Sequence, residues 1–289
     1  MAERVLVVGG TGRTGARLVD QLRQDPCYTV CVLARNRDKF DLLYRYDDEV
    51  ELIEGDLTNI TEWSSQLKGV SQVVTAVSCG MRTDPLVLLG LKKAPSKLPY
   101  EVDYQGVASL VRAAEASGVR RLVAVTTASA GSPFSPAAMF LNAACYFSVK
   151  WKFQGEQAIR QSSLDYVIIR PYALDDARDE APSALGIETS QGKTDTARRW
   201  IPRESVATLC HEALRMPMGQ RVTFECWATK DHQRRVSWET LQPDPKEGVP
   251  DVPHTLATGI GVGGSALVGA GALRMMTWGL SRLLRARRI

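Results

Sequence analysis

The chain has 289 residues, 44% hydrophobic and 24% charged, with a formal net charge of +4. That balance describes a globular chain long enough for a sizeable core and excludes disordered, collagen-like and cysteine-scaffolded classes. The charge is local: residues 252–289 lack Asp and Glu but carry Arg274, Arg282, Arg285, Arg287 and Arg288, so the rest sums to about −1, which argues against a nucleic-acid groove on the main body.

Taken in chain order, the first element is the most specific. The apolar run Val5-Leu6-Val7-Val8 enters Gly9-Gly10-Thr11-Gly12-Arg13-Thr14-Gly15 and then a helical pattern at Leu18, Val19 and Leu22. A glycine turn between strand and helix lets backbone N–H groups approach a pyrophosphate, and the helix start adds a positive dipole end. Gly15 lets that helix pack on the strand. The placement therefore points to a dinucleotide held by Gly9, Thr11, Gly12, Arg13, Thr14 and Gly15. Because the strand begins at residue 4 or 5, this numbering shows no secretory signal ahead of it.

Further short runs rich in Val, Ile and Leu, at residues 28–34, 50–53, 70–78, 121–127 and 164–169, are predicted strands. Helical stretches at 104–117 and 148–161 lie between them. This alternation predicts an α/β fold, a doubly wound parallel sheet of Rossmann type covered by helices on both faces. The second strand ends Leu33-Ala34-Arg35-Asn36-Arg37. Guanidinium groups from Arg35 and Arg37, where a carboxylate would meet the free ribose hydroxyl of NAD, favour the 2′-phosphate of NADP. The six cysteines form no C-x-x-C pair and the three histidines are scattered, so buried thiols in a reducing compartment are expected, in the cytoplasm or an organelle matrix or stroma, and no metal site.

Residues 1–228 are read as one dinucleotide-binding domain. Within it, 175–200 is a polar, aperiodic excursion after the sixth strand and a candidate substrate lid, or else a loop without function. Residues 229–253 are charged and hold Pro243, Pro245, Pro250 and Pro253, a linker signature. The remaining 254–289 form a Gly-rich apolar and basic tail. Thr255 to Leu273 carry no charge and barely reach the length of a bilayer span, while Leu273, Met276, Leu280, Leu283 and Leu284 then recur at helical spacing among arginines. Such a tail suits a membrane surface or subunits of a membrane complex; a disordered extension and a helix packed on the domain are the alternatives.

From Val5 to about Trp227 the chain resembles the atypical short-chain dehydrogenase/reductase family, of the NmrA-like and SDR-a5-like kind. The resemblance rests on the glycine motif, Gly55-Asp56-Leu57, Val102-Asp103-Tyr104-Gln105-Gly106, Ile169-Arg170-Pro171 and Ile201-Pro202-Arg203-Glu204-Ser205-Val206-Ala207. In the last of these the family usually shows Asp where Ser205 stands. The resemblance implies that Asp56 and Leu57 flank the adenine, that Val77, Ser78 and Cys79 line the cofactor, and that the backbone from Pro171 to Ala173 approaches the nicotinamide.

Reduction of a carbonyl by this superfamily needs a Tyr four residues before a Lys, so that phenol and ammonium share a helix face. Two registers compete. Tyr146 and Lys150 match the Tyr-x-x-x-Lys spacing, but the family's Glu four residues after the Lys is found only with Lys152 and Glu156, which leaves Ser148 in the tyrosine position. The two lysines are about 200° apart around a helix, so only one faces the nicotinamide. Thr127, with Thr126 and Ser129, follows the fifth strand, where the family places a hydroxyl that orients substrate. Three functions fit these residues: an NADP-dependent oxidoreductase acting on a small organic molecule, a non-catalytic nucleotide-binding accessory or assembly subunit of a membrane complex of respiratory complex I or photosystem type, and an NADP-sensing regulator.

Overall fold

The computed structural model describes residues 2–45, 49–79, 87, 91, 93, 97–176, 185–191 and 199–245. Its strands are β1 (Glu3–Val8), β2 (Tyr28–Ala34), β3 (Val50–Glu54), β4 (Gln72–Thr75), β5 (Arg121–Val125), β6 (Asp165–Pro171), β7 (Ala173–Leu174), β8 (Gly186–Ser190), β9 (Trp200–Ile201) and β10 (Arg221–Thr229). Eight of them form one sheet in the order β3-β2-β1-β4-β5-β6-β10-β8, and β7 pairs with β9. Every pairing in the large sheet is parallel except that of β10 with the edge strand β8. The strand order reverses between β1 and β4, which opens a crevice at their carboxyl ends.

The hydrophobic run of β1 is continuous because both of its faces are covered. Val5 and Val7 pack in one core cluster, with Leu18, Val19 and Leu22 of α1 (Arg13–Leu22) and Val206 and Leu209 of α6 (Arg203–Leu214). Leu6 and Val8 pack in the other, with Trp63, Leu110 and Val111 of α3 (Val107–Ala116), and Ile159 of α5 (Ser148–Arg160). Alternate residues of a strand face opposite sides, so two layers of helix consume the whole run. The remaining described α-helices are α2 (Arg37–Tyr44) and α4 (Pro136–Ala144). Burial pushes the Cys31 and Cys210 thiols up to about 12, so both serve as packing groups.

The doubly wound sheet follows the expected alternation, with differences at its margins. The helix expected at 104–117 starts earlier, in a π-helical turn over Tyr100–Gly106 that leads into α3. The excursion at 175–200 contains β8, whose backbone pairs antiparallel with β10 from Gly186 to Ser190. Pairing at a sheet edge needs no side-chain period, which is why the polar Gly-Ile-Glu-Thr-Ser gave no strand signal. The stretch 229–253, expected to be a linker, is anchored at several points of its otherwise exposed described part. Thr229 ends β10, Leu241 is buried, and the Trp238 ring meets Phe224 edge-on at 5.6 Å. Asp244 accepts from the Thr223 amide (3.0 Å), Thr223 Oγ1 (2.5 Å), Arg160 Nε (3.1 Å) and Tyr166 Oη (3.1 Å). Residues 246–253 and the whole tail 254–289 lie outside the described residues. Among the described residues no helix is long and apolar enough to cross a membrane.

A buried ionic cluster joins helix, sheet and this C-terminal strap. Glu156 of α5 is 0% exposed and accepts from Arg170 Nε (3.0 Å) and Nη2 (2.5 Å), Arg160 Nη2 (3.1 Å) and Thr126 Oγ1 (2.6 Å). Burial alone would raise its pKa; the Arg170 and Arg160 guanidiniums more than offset that and hold it at about 2, against an ordinary 4.5. Removing one partner of such a cluster leaves uncompensated charge, so Glu156→Ala should cost roughly 3–5 kcal/mol in urea unfolding. A depressed carboxylate stabilises above its unfolded pKa and loses that contribution as pH falls through its folded value. The gap between wild type and variant should therefore close as pH falls from 4.5 towards 2; a gap constant through that window would refute the assignment.

Candidate functional site

The glycine turn closes as tightly as its sequence requires. Gly9 has φ +90°, and a Cβ there would lie 3.0 Å from the Ala76 carbonyl oxygen at the end of β4. A Cβ on Gly15 would lie 2.2 Å from the Gly9 oxygen, closer than atoms can approach. The turn is fixed by the Gly12 amide donating to Gly9 O (2.8 Å) and the Ala16 amide to Gly12 O (2.8 Å). No side chain caps α1 at Gly12, and its first turn carries no acid. The first amides of α1 thus face the crevice without an internal anion, which fits a pyrophosphate.

That crevice is a cleft of about 310 Å³ between the carboxyl ends of β1, β2, β3 and β4, within the size range of small-ligand sites. Of the residues expected around a dinucleotide, Gly9, Thr11, Gly12, Arg35, Asp56, Leu57, Val77 and Ser78 line it. Gly15 lies behind the turn, and Arg13 and Thr14 open α1. Arg37 is directed elsewhere, at 3.8 Å from Asp41 and 3.7 Å from Glu54. Pro171 ends β6, paired with Cys226 of β10.

Lys39, Thr58 and Lys97 also line the cleft, and no local motif marks Thr58 or Lys97. Lys97 Nζ donates to Asp56 Oδ2 and, at 2.9 Å, to Thr58 Oγ1. Asp56 Oδ1 accepts from the Thr58 amide and hydroxyl, both at 2.8 Å. Burial would raise the Asp56 pKa, but these bonds hold it below the usual carboxylate value.

At the inner end, Val77 also borders a small cavity of about 20 Å³, beside Thr75, Asp103, Thr126, Lys152 and Glu156, room for about one water. Lys152 Nζ donates to Asp103 Oδ1 at 2.8 Å and to the Val77 carbonyl at 3.2 Å. A Cβ on Gly155 would lie 2.3 Å from the Asp103 carbonyl oxygen, so α5 rests directly on the π-helical turn and brings the two charges together. The buried Thr75 Oγ1 and Asp103 Oδ2 have no hydrogen-bond partner. Lys150 lies elsewhere, its Nζ 4.9 Å from the centre of the Trp151 ring. Tyr146 and Phe147 have φ of 49° and 59°, and α5 begins only at Ser148. Tyr146 is therefore outside the helix on which Lys150 stands, and the shared face that the Tyr-x-x-x-Lys spacing implies is not formed. Thr126 Oγ1 donates a hydrogen bond to Glu156 Oε1 at 2.6 Å, and Thr127 precedes a 3-10 turn at Ala128–Ala130 in which both alanines are buried.

Comparison with known proteins agrees with this geometry. The model of a family described as NAD(P)H-binding matches residues 9–217. An uncharacterized chloroplastic protein of Arabidopsis thaliana is 27% identical over 217 residues, 73% of this chain and 72% of its own length. The Photosystem II assembly factor Ycf39 of Trieres chinensis is 25% identical over 223 residues, 76% of this chain and 62% of that protein, so the chain spans less than two thirds of it. A short-chain dehydrogenase/reductase of Veillonella parvula, solved in complex with NADP, superposes with a TM-score of 0.60 at 16% identity, over 82% of this chain and 100% of that one. At that identity the likeness is one of fold.

The turn yields a direct test. Gly15→Ala forces the Gly9 carbonyl aside, so dinucleotide affinity, read by quenching of protein fluorescence, should fall at least roughly tenfold, the equivalent of about 1.4 kcal/mol. Unchanged affinity in the folded variant would show that the ligand does not use this loop.

Proposed function

We propose that this chain, which belongs to the NAD(P)H-binding family, holds NADP(H) as a nucleotide-binding accessory or assembly factor and does not reduce carbonyls with a Tyr–Lys pair. The observation that carries the cofactor assignment is Arg35, which lines the cleft at the end of β2 where an NAD-selecting acid would stand. The amides of the glycine turn and the first turn of α1 would take the pyrophosphate, and Arg35 the 2′-phosphate. Lys152, supported by its contact with the Val77 carbonyl, is the lysine we assign to the nicotinamide ribose.

NADPH, when bound, supplies a hydride. What this chain does not bring to the nicotinamide end is a phenol on the lysine's helix face, since Ser148 occupies that position and Tyr146 precedes α5. Likeness to a protein named as a photosystem assembly factor supports the accessory role. Three of the six cysteines, Cys31, Cys210 and Cys226, are buried as expected while Cys27 is exposed; with a chloroplastic relative, a reducing organelle compartment is the location that goes with this reading. The second reading, a reductase whose substrate takes its proton from a group other than Tyr146, is favoured by the Lys152, Thr126 and Asp103 cluster beside the cleft.

Tyr146→Phe should leave NADPH oxidation within roughly twofold of wild type with any acceptor tried, whereas loss of a true general acid costs on the order of 100-fold. Lys152→Met should weaken NADPH binding at least roughly fivefold, in line with a lost charge-assisted hydrogen bond. A 100-fold fall in turnover for Tyr146→Phe would restore the dehydrogenase reading.

A further inference from the structure

We infer that Lys97 is a specificity-determining residue of the dinucleotide site. It neutralises Asp56 and supplies, with Arg35 and Lys39, the cationic end of the cleft that selects a phosphorylated over an unphosphorylated adenosine ribose. The inference rests on the NADP(H) reading and extends it to a residue that comes from another part of the chain.

The argument is one of charge and of hydrogen-bond capacity. Among the residues lining the cleft, the carboxylates number one, Asp56, and the cations three, Arg35, Lys39 and Lys97. A cleft selecting NAD needs a carboxylate oxygen left to accept the ribose 2′-hydroxyl. Asp56 is committed to other partners: Oδ1 takes the amide and hydroxyl of Thr58, and Oδ2 takes Lys97, with Arg35 Nη1 3.9 Å from the same oxygen. Without Lys97, Asp56 would be left to Arg35, 3.9 Å from its Oδ2, and would compete for that guanidinium with a 2′-phosphate carrying close to two negative charges. With Lys97, the acid is cancelled and the lysine keeps donor capacity beyond Asp56 and Thr58, since an ammonium has three protons. Lys97 reaches the site because Leu98 and Pro99 immediately precede the π-helical turn at Tyr100, and the Leu98 amide is held at 2.8 Å by Glu101 Oε2. The turn that carries Asp103 to Lys152 at the inner end thus also fixes where Lys97 enters the outer end. Lys39, in the first turn of α2, has its amide capped by Asn36 Oδ1 at 2.7 Å, which sets the start of that helix at the cleft rim.

The test uses the full chain and calorimetric titration with NADP and NAD, with adenosine 2′,5′-bisphosphate and AMP as probes that omit the nicotinamide half. Lys97→Met should weaken NADP and the bisphosphate roughly tenfold while leaving NAD and AMP within about twofold, and Lys39→Met should do the same to a smaller degree. Lys97→Arg, which keeps the charge, should recover most of the loss, and thermal melting establishes that each variant is folded. Equal weakening of phosphorylated and unphosphorylated ligands, no weakening at all, or failure of Lys97→Arg to recover binding would each overturn the inference while leaving the NADP reading intact. Tighter binding of NAD than NADP by the unaltered protein would overturn both.

Discussion

Much of this structure depends on one buried carboxylate. Glu156 has no exposure, yet it stays ionised because two guanidiniums and a hydroxyl converge on it. Those partners come from β6, from its own helix and from the end of β5, so the contact fixes the rotation of α5 about its axis. One helical turn earlier on the same face is Lys152, which is thereby delivered to Asp103 and the Val77 carbonyl. Lys150, two residues away, is turned off that face and meets the Trp151 ring. A buried ion pair is weak evidence for net stability, since desolvation opposes it, but it is strong at fixing a register. Here it selects which of two lysines meets Asp103 and the Val77 carbonyl.

The outer half of the site is governed by close approach. Where a side chain on Gly15 would strike the Gly9 carbonyl, helix and strand are forced together, and the first amides of α1 are left pointing at the crevice. The cleft then divides by charge: backbone donors at the turn, cations with one cancelled acid at the outer end, and a lysine–aspartate pair beside two unsatisfied oxygens at the inner end. In the function proposed above, each part takes a different portion of a dinucleotide. None of them needs Tyr146, whose left-handed backbone lies before the helix.

The central sheet and the glycine turn are legible in the sequence because both faces of each inner strand are buried and because a tight turn tolerates few residues besides glycine. Val5 to Val8 and Val30 to Ala34 are runs that fit little other than a covered parallel strand. The four-residue spacing of Lys152 and Glu156 was also readable, and the two side chains border the same small cavity. What stayed hidden depends on contacts far apart in the chain. β8 is polar and exists through its pairing with β10. Lys97 stands 41 residues from Asp56, with no spacing rule to connect them. The proline-rich stretch read as a linker is held by Asp244, one acid whose four donors come from three other elements or their ends.

That same Asp244 ties the C-terminal strap to one rim of the sheet. Its amide donates to the Arg221 carbonyl, where β10 begins, and its carboxylate meets Tyr166 near the start of β6. Parallel strands start at one rim of the sheet and finish at the other, and the cleft opens at the finishing rim. A strand of five residues separates the rims by roughly 17 Å. Pro245, next to Asp244, therefore sits at the rim opposite the cleft.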